Sequence, residues 1–223
     1  MLPSDEQSAS TALHSPRTAT GRKRQARGIS TREVLLESAR AMFGKYGYQV
    51  TGVKDITSDA GLAVGAFYAH FASKRELLIA LMGEVRDWLE SINLRPHRAG
   101  MTRLAFRAHF QELFRDDPNA YRVIRAWHEA VMADSDLATM NEEIVRWSER
   151  NIRRLFEHLL SQPNVRKERD IVAMAAMINH YMWHLLAQRT AMEPDDFERQ
   201  IGIIADVLYH YFFRDRRSPG DVD

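Results

Sequence analysis

The residues that could do chemistry fall into two groups, and neither is arranged for making or breaking bonds. The first lies in the opening third of the chain. Arg22, Lys23, Arg24 and Arg27, then Lys54, Tyr68, His70 and Lys74, offer cations and hydrogen-bond donors along a stretch poor in acid. Such groups suit phosphate oxygens, because each lysine or arginine that meets a phosphate releases a condensed counterion. Residues 17–75 hold 11 Lys/Arg against 4 Asp/Glu, whereas the rest of the chain holds 20 against 26. A basic end on an acidic body predicts a polyanionic partner for the first and not the second.

The second group is spread over residues 85–190. Trp88, Phe110, Trp127, Met132, Trp147 and Trp183 are large and apolar, with the polar His128, Asn151, Asn179 and His184 set among them. Two readings stand. These are plain core residues with a few buried hydrogen bonds, or they line an apolar pocket in which the polar groups orient a ligand. His180 and His184 have the i, i+4 spacing of a metal pair, but no carboxylate or cysteine completes the set nearby. His128-Glu129 lacks the second histidine of a zinc-protease helix, since Met132 stands there. No cysteine, glycine-rich phosphate loop, nucleophile elbow or paired carboxylate occurs. No enzyme, metal or cofactor is expected.

The elements that hold the first group are short. Val53, Ile56 and Ala60 form one face of a two-turn helix beginning at Thr51, which we read as its cap and, with the amides of that helix start, as a phosphate contact. Gly61 ends it, a position that tolerates positive φ. A second short helix follows, with Phe67 and Phe71 turned to a core. Ser73 then starts a long helix with Glu76 completing a capping box. Before them, Ser30 with Glu33 starts a first helix whose Leu35, Ala39, Met42, Phe43 and Tyr46 share a face and which stops at Gly47. Two short helices about a glycine turn are the plan of a helix-turn-helix, whose second helix enters the major groove.

At F43-GKYG47-Y48, T51-GV-KDI56, AG61-L62 and F67-Y68-AHF71-ASK74 the chain resembles the DNA-binding domain of the tetracycline-repressor (TetR) family, over about 47 of its 223 residues. The resemblance implies a recognition helix at residues 63–70, with Ala63, Val64, Gly65 and Ala66 toward base edges. That family more often carries Ser or Thr near Ala63 and Ala66 and a polar residue near Val64. An apolar surface packs on thymine methyl groups and forms no bidentate bond to a base, so readout here is weighted toward T contacts and DNA shape. Gly65 inside a helix costs about 0.8–1 kcal/mol against alanine; a close approach to DNA or simple helix packing would each account for it. Gly52 sits where the family often has a hydroxyl. The resemblance also implies a basic arm at residues 22–27, a dimer formed by the last two helices as a four-helix bundle, and repression relieved by a ligand.

The remaining pattern is helical throughout. A fourth helix runs over about 73–94 and links reader to body. Five more are expected over about 101–114, 118–132, 136–160, 168–190 and 194–213. Residues 171–188 form an 18-residue run without formal charge, but Asn179, His180, His184 and Gln188 argue against lipid and for a helix buried on most sides. The expected fold is all-α, of about nine helices. A disordered basic tail (1–28) precedes a reader (29–75), a helical ligand-binding and dimerisation body (76–215) and a tail (216–223). No apolar run follows the start, so no secretory signal is expected, and a cytoplasmic location is. The function expected is a DNA-binding regulator, a dimeric repressor of a palindromic operator released by an apolar small molecule. The alternative is an effector-independent DNA-binding protein whose body serves assembly.

Overall fold

The computed structural model describes residues 30–91, 102–114, 118–162 and 164–213. Arg22, Lys23, Arg24 and Arg27, both expected tails and the stretch of the fourth helix past Ser91 lie outside them. Among the described residues are nine α-helices: α1 (Thr31–Tyr46), α2 (Val53–Asp59), α3 (Val64–Tyr68), α4 (Lys74–Ser91), α5 (Arg103–Leu113), α6 (Pro118–Val131), α7 (Ser135–Leu160), α8 (Ile171–Gln188) and α9 (Pro194–Phe212). A 3₁₀ turn, Arg189–Ala191, follows α8, and the one β-contact among these residues is the isolated bridge Val165–Phe213. The all-α expectation holds.

Local chemistry sets most helix ends. Ser30 Oγ accepts from the Glu33 N–H at 3.2 Å while Glu33 accepts from the Ser30 N–H at 2.9 Å, the expected reciprocal box. The box expected at Ser73 is displaced by one residue. Ser73 Oγ accepts from the Glu76 N–H, but the Glu76 carboxylate reaches the N–H of Ala72. Asp170 caps α8 by accepting from Val172 and Ala173, which starts it later than residue 168. Thr102 and Asp134 cap α5 and α7 likewise.

α6 is the hub, packed on α1, α4, α7 and α8, while α5 packs on α9 and α7 on α8. One apolar core runs without a break from Leu35 through Leu81 and Trp127 to Phe212. The reader is therefore seated directly on the body, through α1 on α6 as well as through α4. On α1 the expected apolar face is nearly right: Leu35, Ala39 and Phe43 are buried with Leu36, but Tyr46 is half-exposed and stands outside the core.

Candidate DNA reader and ligand cavity

The turn between α2 and α3 is fixed by backbone chemistry. Gly61 takes φ 66°, Leu62 N–H donates to the Thr57 carbonyl at 2.8 Å, and Gly61 N–H to the Ser58 carbonyl at 3.2 Å. This crossed pair is the glycine-ended helix stop. It turns α3 so that Phe67 is fully buried, 5.8 Å from the Phe71 ring. With Phe67 inward, Ala63, Val64, Gly65, Tyr68 and His70 face out, and Ala66 is half-buried. A Cβ built on Gly65 would meet nothing within 4 Å, so packing inside this chain does not require glycine there.

Two residues read as phosphate contacts do something else. Thr51 does not cap α2; Gly52 does, and the Asp55 carboxylate accepts its N–H at 2.7 Å. Thr51 is buried, and its hydroxyl donates to the Gly47 carbonyl at 2.7 Å, bracing the end of α1. The Lys74 ammonium is half-buried and donates to the carbonyls of Tyr48 and Thr51, at 2.7 Å each. It also lies 4.3 Å from the centre of the Tyr48 ring. Two of its three hydrogens are thus spent inside the reader, and burial holds its pKa below the ordinary lysine value. It pins the α1–α2 loop to the start of α4. Lys54 projects freely from the first turn of α2.

Three further contacts, none of them anticipated, clasp reader to body. Gly47 adopts φ 89°, which presents the next N–H, that of Tyr48, to the Glu129 carboxylate on α6 at 2.8 Å. A side chain at Gly47 would collide with that carboxylate, a Cβ falling 2.8 Å from its nearer oxygen. Gln49 donates to the Glu129 carbonyl at 3.3 Å. Arg75, at the start of α4, pairs with Asp134 and with Asp136, the latter at 3.0 Å, at the entrance of α7. Partial burial pushes the Asp134 carboxyl up, but the Leu137 N–H and the Arg75 guanidinium pull it down by more, so it titrates below the ordinary aspartate value.

A cavity of about 90 Å³ lies between α4, α5, α7, α8 and α9. Phe110, Trp147, Asn151, Asn179 and Trp183 of the predicted set line it. The other five do not. Trp127 is core, its indole N–H held by the Asn141 side chain at 2.9 Å. Trp88 packs edge-on against Tyr121. His128, Met132 and His184 are exposed, Met132 to 79%. His180 is exposed too, and among the described residues no third metal-ligating side chain gathers near these histidines.

Leu89, Phe114, Phe156, Met182 and above all Ser148 also line the cavity, and none of them is among the residues expected there. Ser148 is buried at the cavity wall, accepts from the Trp183 N–H at 3.1 Å and donates to the Asn179 side-chain oxygen. The Asn179 amide then donates to the Val145 carbonyl at 3.1 Å. Replacing Ser148 with alanine strands both neighbours. The expected loss, read by urea denaturation, is about 1–3 kcal/mol, and no loss would mean the chain of bonds contributes nothing.

Comparison with known proteins places this geometry. Residues 35–81 match the profile of bacterial regulatory proteins of the tetR family. The transcriptional repressor KstR2 of Mycobacterium tuberculosis is 47% identical over 60 residues, 27% of this chain and 30% of that one. The similarity thus spans under a third of that repressor's length. The transcriptional regulator YezE of Bacillus subtilis is 29% identical over 191 residues, 78% of this chain and 94% of its own. Among solved structures, SmeT in complex with triclosan superposes with a TM-score of 0.64 at 22% identity, over 86% of this chain and 97% of that one. No helix among the described residues is long and apolar enough to cross a membrane. Residues 35–81 thus match the DNA-binding segment of the TetR family, and the described residues have the corresponding fold, a helix-turn-helix reader on an all-helical body.

Proposed function

We propose that this protein is a regulator of the TetR family, a cytoplasmic, homodimeric repressor that binds a palindromic operator and is released when an apolar molecule occupies the cavity. The observation that carries the reading is the pairing of an outward-facing α3 with an apolar cavity whose wall includes α4, the helix that also leads into the reader. α3 enters the major groove with Val64 and the backbone at Gly65 against base edges. Lys54, Tyr68 and His70 hold phosphates, the arm at residues 22–27 adds further charge, and Lys74 positions the reader. Two readers related by a two-fold axis contact half-sites about 34–36 Å apart.

The dimer forms through α8 and α9. Val172, Met177 and Tyr181 on α8 and Ile203 and Val207 on α9 are 41–55% exposed, an apolar surface that a monomer leaves in water. Release follows from geometry at the cavity. Leu89 of α4 is part of its wall, and the Trp147 N–H on α7 donates to the Glu90 carboxylate of α4 at 3.3 Å. An apolar cavity of about 150 Å³ admits benzene, so the smaller one here must open before a larger molecule fits. A ligand that prefers the opened body displaces α4, strains the clasps at Glu129 and Arg75 and misplaces both readers. It shifts the balance only by its differential affinity for the two states.

Binding of the purified protein to the DNA flanking its own gene, over a salt series, tests the DNA part. Specific binding in the range of about 10⁻⁸–10⁻¹¹ M is expected. Lys54→Ala should weaken binding on every sequence alike and reduce the salt slope by about one. Val64→Ala should relax discrimination at one T·A pair. An unchanged slope in the first variant and unchanged discrimination in the second would put α2 and α3 off the DNA.

A further inference from the structure

If the cavity is the ligand site proposed above, the chemistry of its wall narrows what it can hold. Among the described residues that line the cavity there is no Asp, Glu, Lys, Arg or His. Its polar groups are almost all engaged with one another. Trp183 donates to Ser148, Ser148 to Asn179 and Asn179 to the Val145 carbonyl, while Trp147 donates outward to Glu90.

Asn151 is the exception. Its side-chain oxygen accepts from Arg154 at 3.2 Å, which sets the orientation of the amide. Its NH₂ group has no acceptor among the described residues and is open to water, on a half-buried side chain that lines the cavity. The site therefore offers aromatic walls and one neutral donor.

We infer that the cavity selects an uncharged aromatic molecule bearing one hydrogen-bond acceptor, a carbonyl or ether oxygen, which the Asn151 amide takes. An ionised carboxylate or ammonium brought there would leave water and meet no opposite charge in the wall itself. Arg154 and Glu90 stand behind Asn151 and Trp147 and are already bonded to them. Such an ion would be held far more weakly or lose its charge. An uncharged ring loses nothing of that kind and stacks or meets edge-on with Trp147, Trp183 and Phe110. Met182, unbranched and adaptable, is the wall residue best able to yield as the cavity widens. Trp147 moves with it, and its bond to Glu90 carries the movement to α4.

The test uses the full chain and four probes on one naphthalene frame: methyl naphthyl ketone, ethylnaphthalene, naphthoate and naphthylmethylammonium. Binding is measured by calorimetry and operator release alongside. The ketone should bind roughly fivefold tighter than the hydrocarbon, the worth of one net hydrogen bond. Both ions should bind at least about a hundredfold more weakly than the ketone. Asn151→Leu should erase the ketone's advantage while hydrocarbon binding persists, which also shows that the variant is folded. An ion that binds as tightly as the ketone and releases the operator would overturn the inference and leave the ligand-site reading standing. A ketone advantage that survives in Asn151→Leu would overturn the role of Asn151. Failure of all four probes to bind would overturn both the inference and the reading beneath it.

Discussion

Phe67→Ala is expected to cost about 3–5 kcal/mol of stability and to abolish operator binding, more than any single change on the DNA-facing surface. Phe67 is fully buried and packs within 6 Å of both the Tyr68 and Phe71 rings. α3 is 5 residues long and has no side-chain cap at its start. A helix that short does not hold itself together. It is placed by the turn at Gly61 behind it and by the burial of Phe67 beneath it. Removing the ring leaves the helix without its anchor, and the four residues proposed to face base edges lose a common frame. Denaturant unfolding gives the stability loss, and fluorescence anisotropy with labelled operator gives the binding loss. An alanine variant that unfolds earlier yet binds operator with unaltered affinity would show that DNA itself can order α3. The anchoring role assigned to Phe67 would then fall.

The second large effect is expected at the opposite end of the molecule. If the protein pairs through α8 and α9 as proposed, the double variant Ile203→Asp, Val207→Asp should be a monomer of 25.8 kDa and bind a two-half-site operator about 10²–10⁴-fold more weakly. These two residues sit one helical turn apart on α9, 55% and 45% exposed. Tyr181 on α8 donates to the Gln200 side chain on α9 at 2.7 Å, so the two helices present one surface. Carboxylates placed at the centre of a mated apolar face would be buried without partners. Binding to an isolated half-site should be unchanged, which separates lost pairing from lost folding. Sedimentation equilibrium reads the mass directly. A variant that remains dimeric would move the interface away from these helices.

Much of the reader was legible because its signals are local. Ser30 with Glu33, Gly47, Gly61 and the alternation of Phe67 and Phe71 against polar neighbours each act within a few residues, and each sits in the structure where it was expected. Thr51 and Lys74 were misread for the same reason. A hydroxyl or ammonium beside a helix start looks like a phosphate contact until the chain's own carbonyls, of Gly47 for one and of Tyr48 and Thr51 for the other, are brought within 2.7 Å. The partners of Lys74 lie 23 and 26 residues away, beyond the reach of any local pattern, while Gly47, four residues before Thr51, becomes its partner only because α1 ends there and the chain turns back.

In the body the limit was the register of faces. α8 has no formal charge on any side, so periodicity could not say which of Asn179, His180, Trp183 and His184 turns inward. Asn179 and Trp183 do, because α7 lies against that side and supplies Ser148 as their partner. Ser148 itself carried no signal, a small polar residue between Trp147 and Glu149 on a helix with many charges. Trp127 and Met132 failed in opposite directions, Trp127 into the core and Met132, just past the end of α6, to solvent.

By itself, then, the sequence determined the helical class, the order of the helices, the turn that makes the reader and the basic and acidic halves, all consequences of propensity, capping and short-range pattern. The tertiary structure decided which polar groups are free and which are spent, where the reader meets the body through Glu129 and Arg75, and that the cavity wall among the described residues carries no charge. Those depend on side chains from distant helices arriving at one place, and burial decides their chemistry only once they have met.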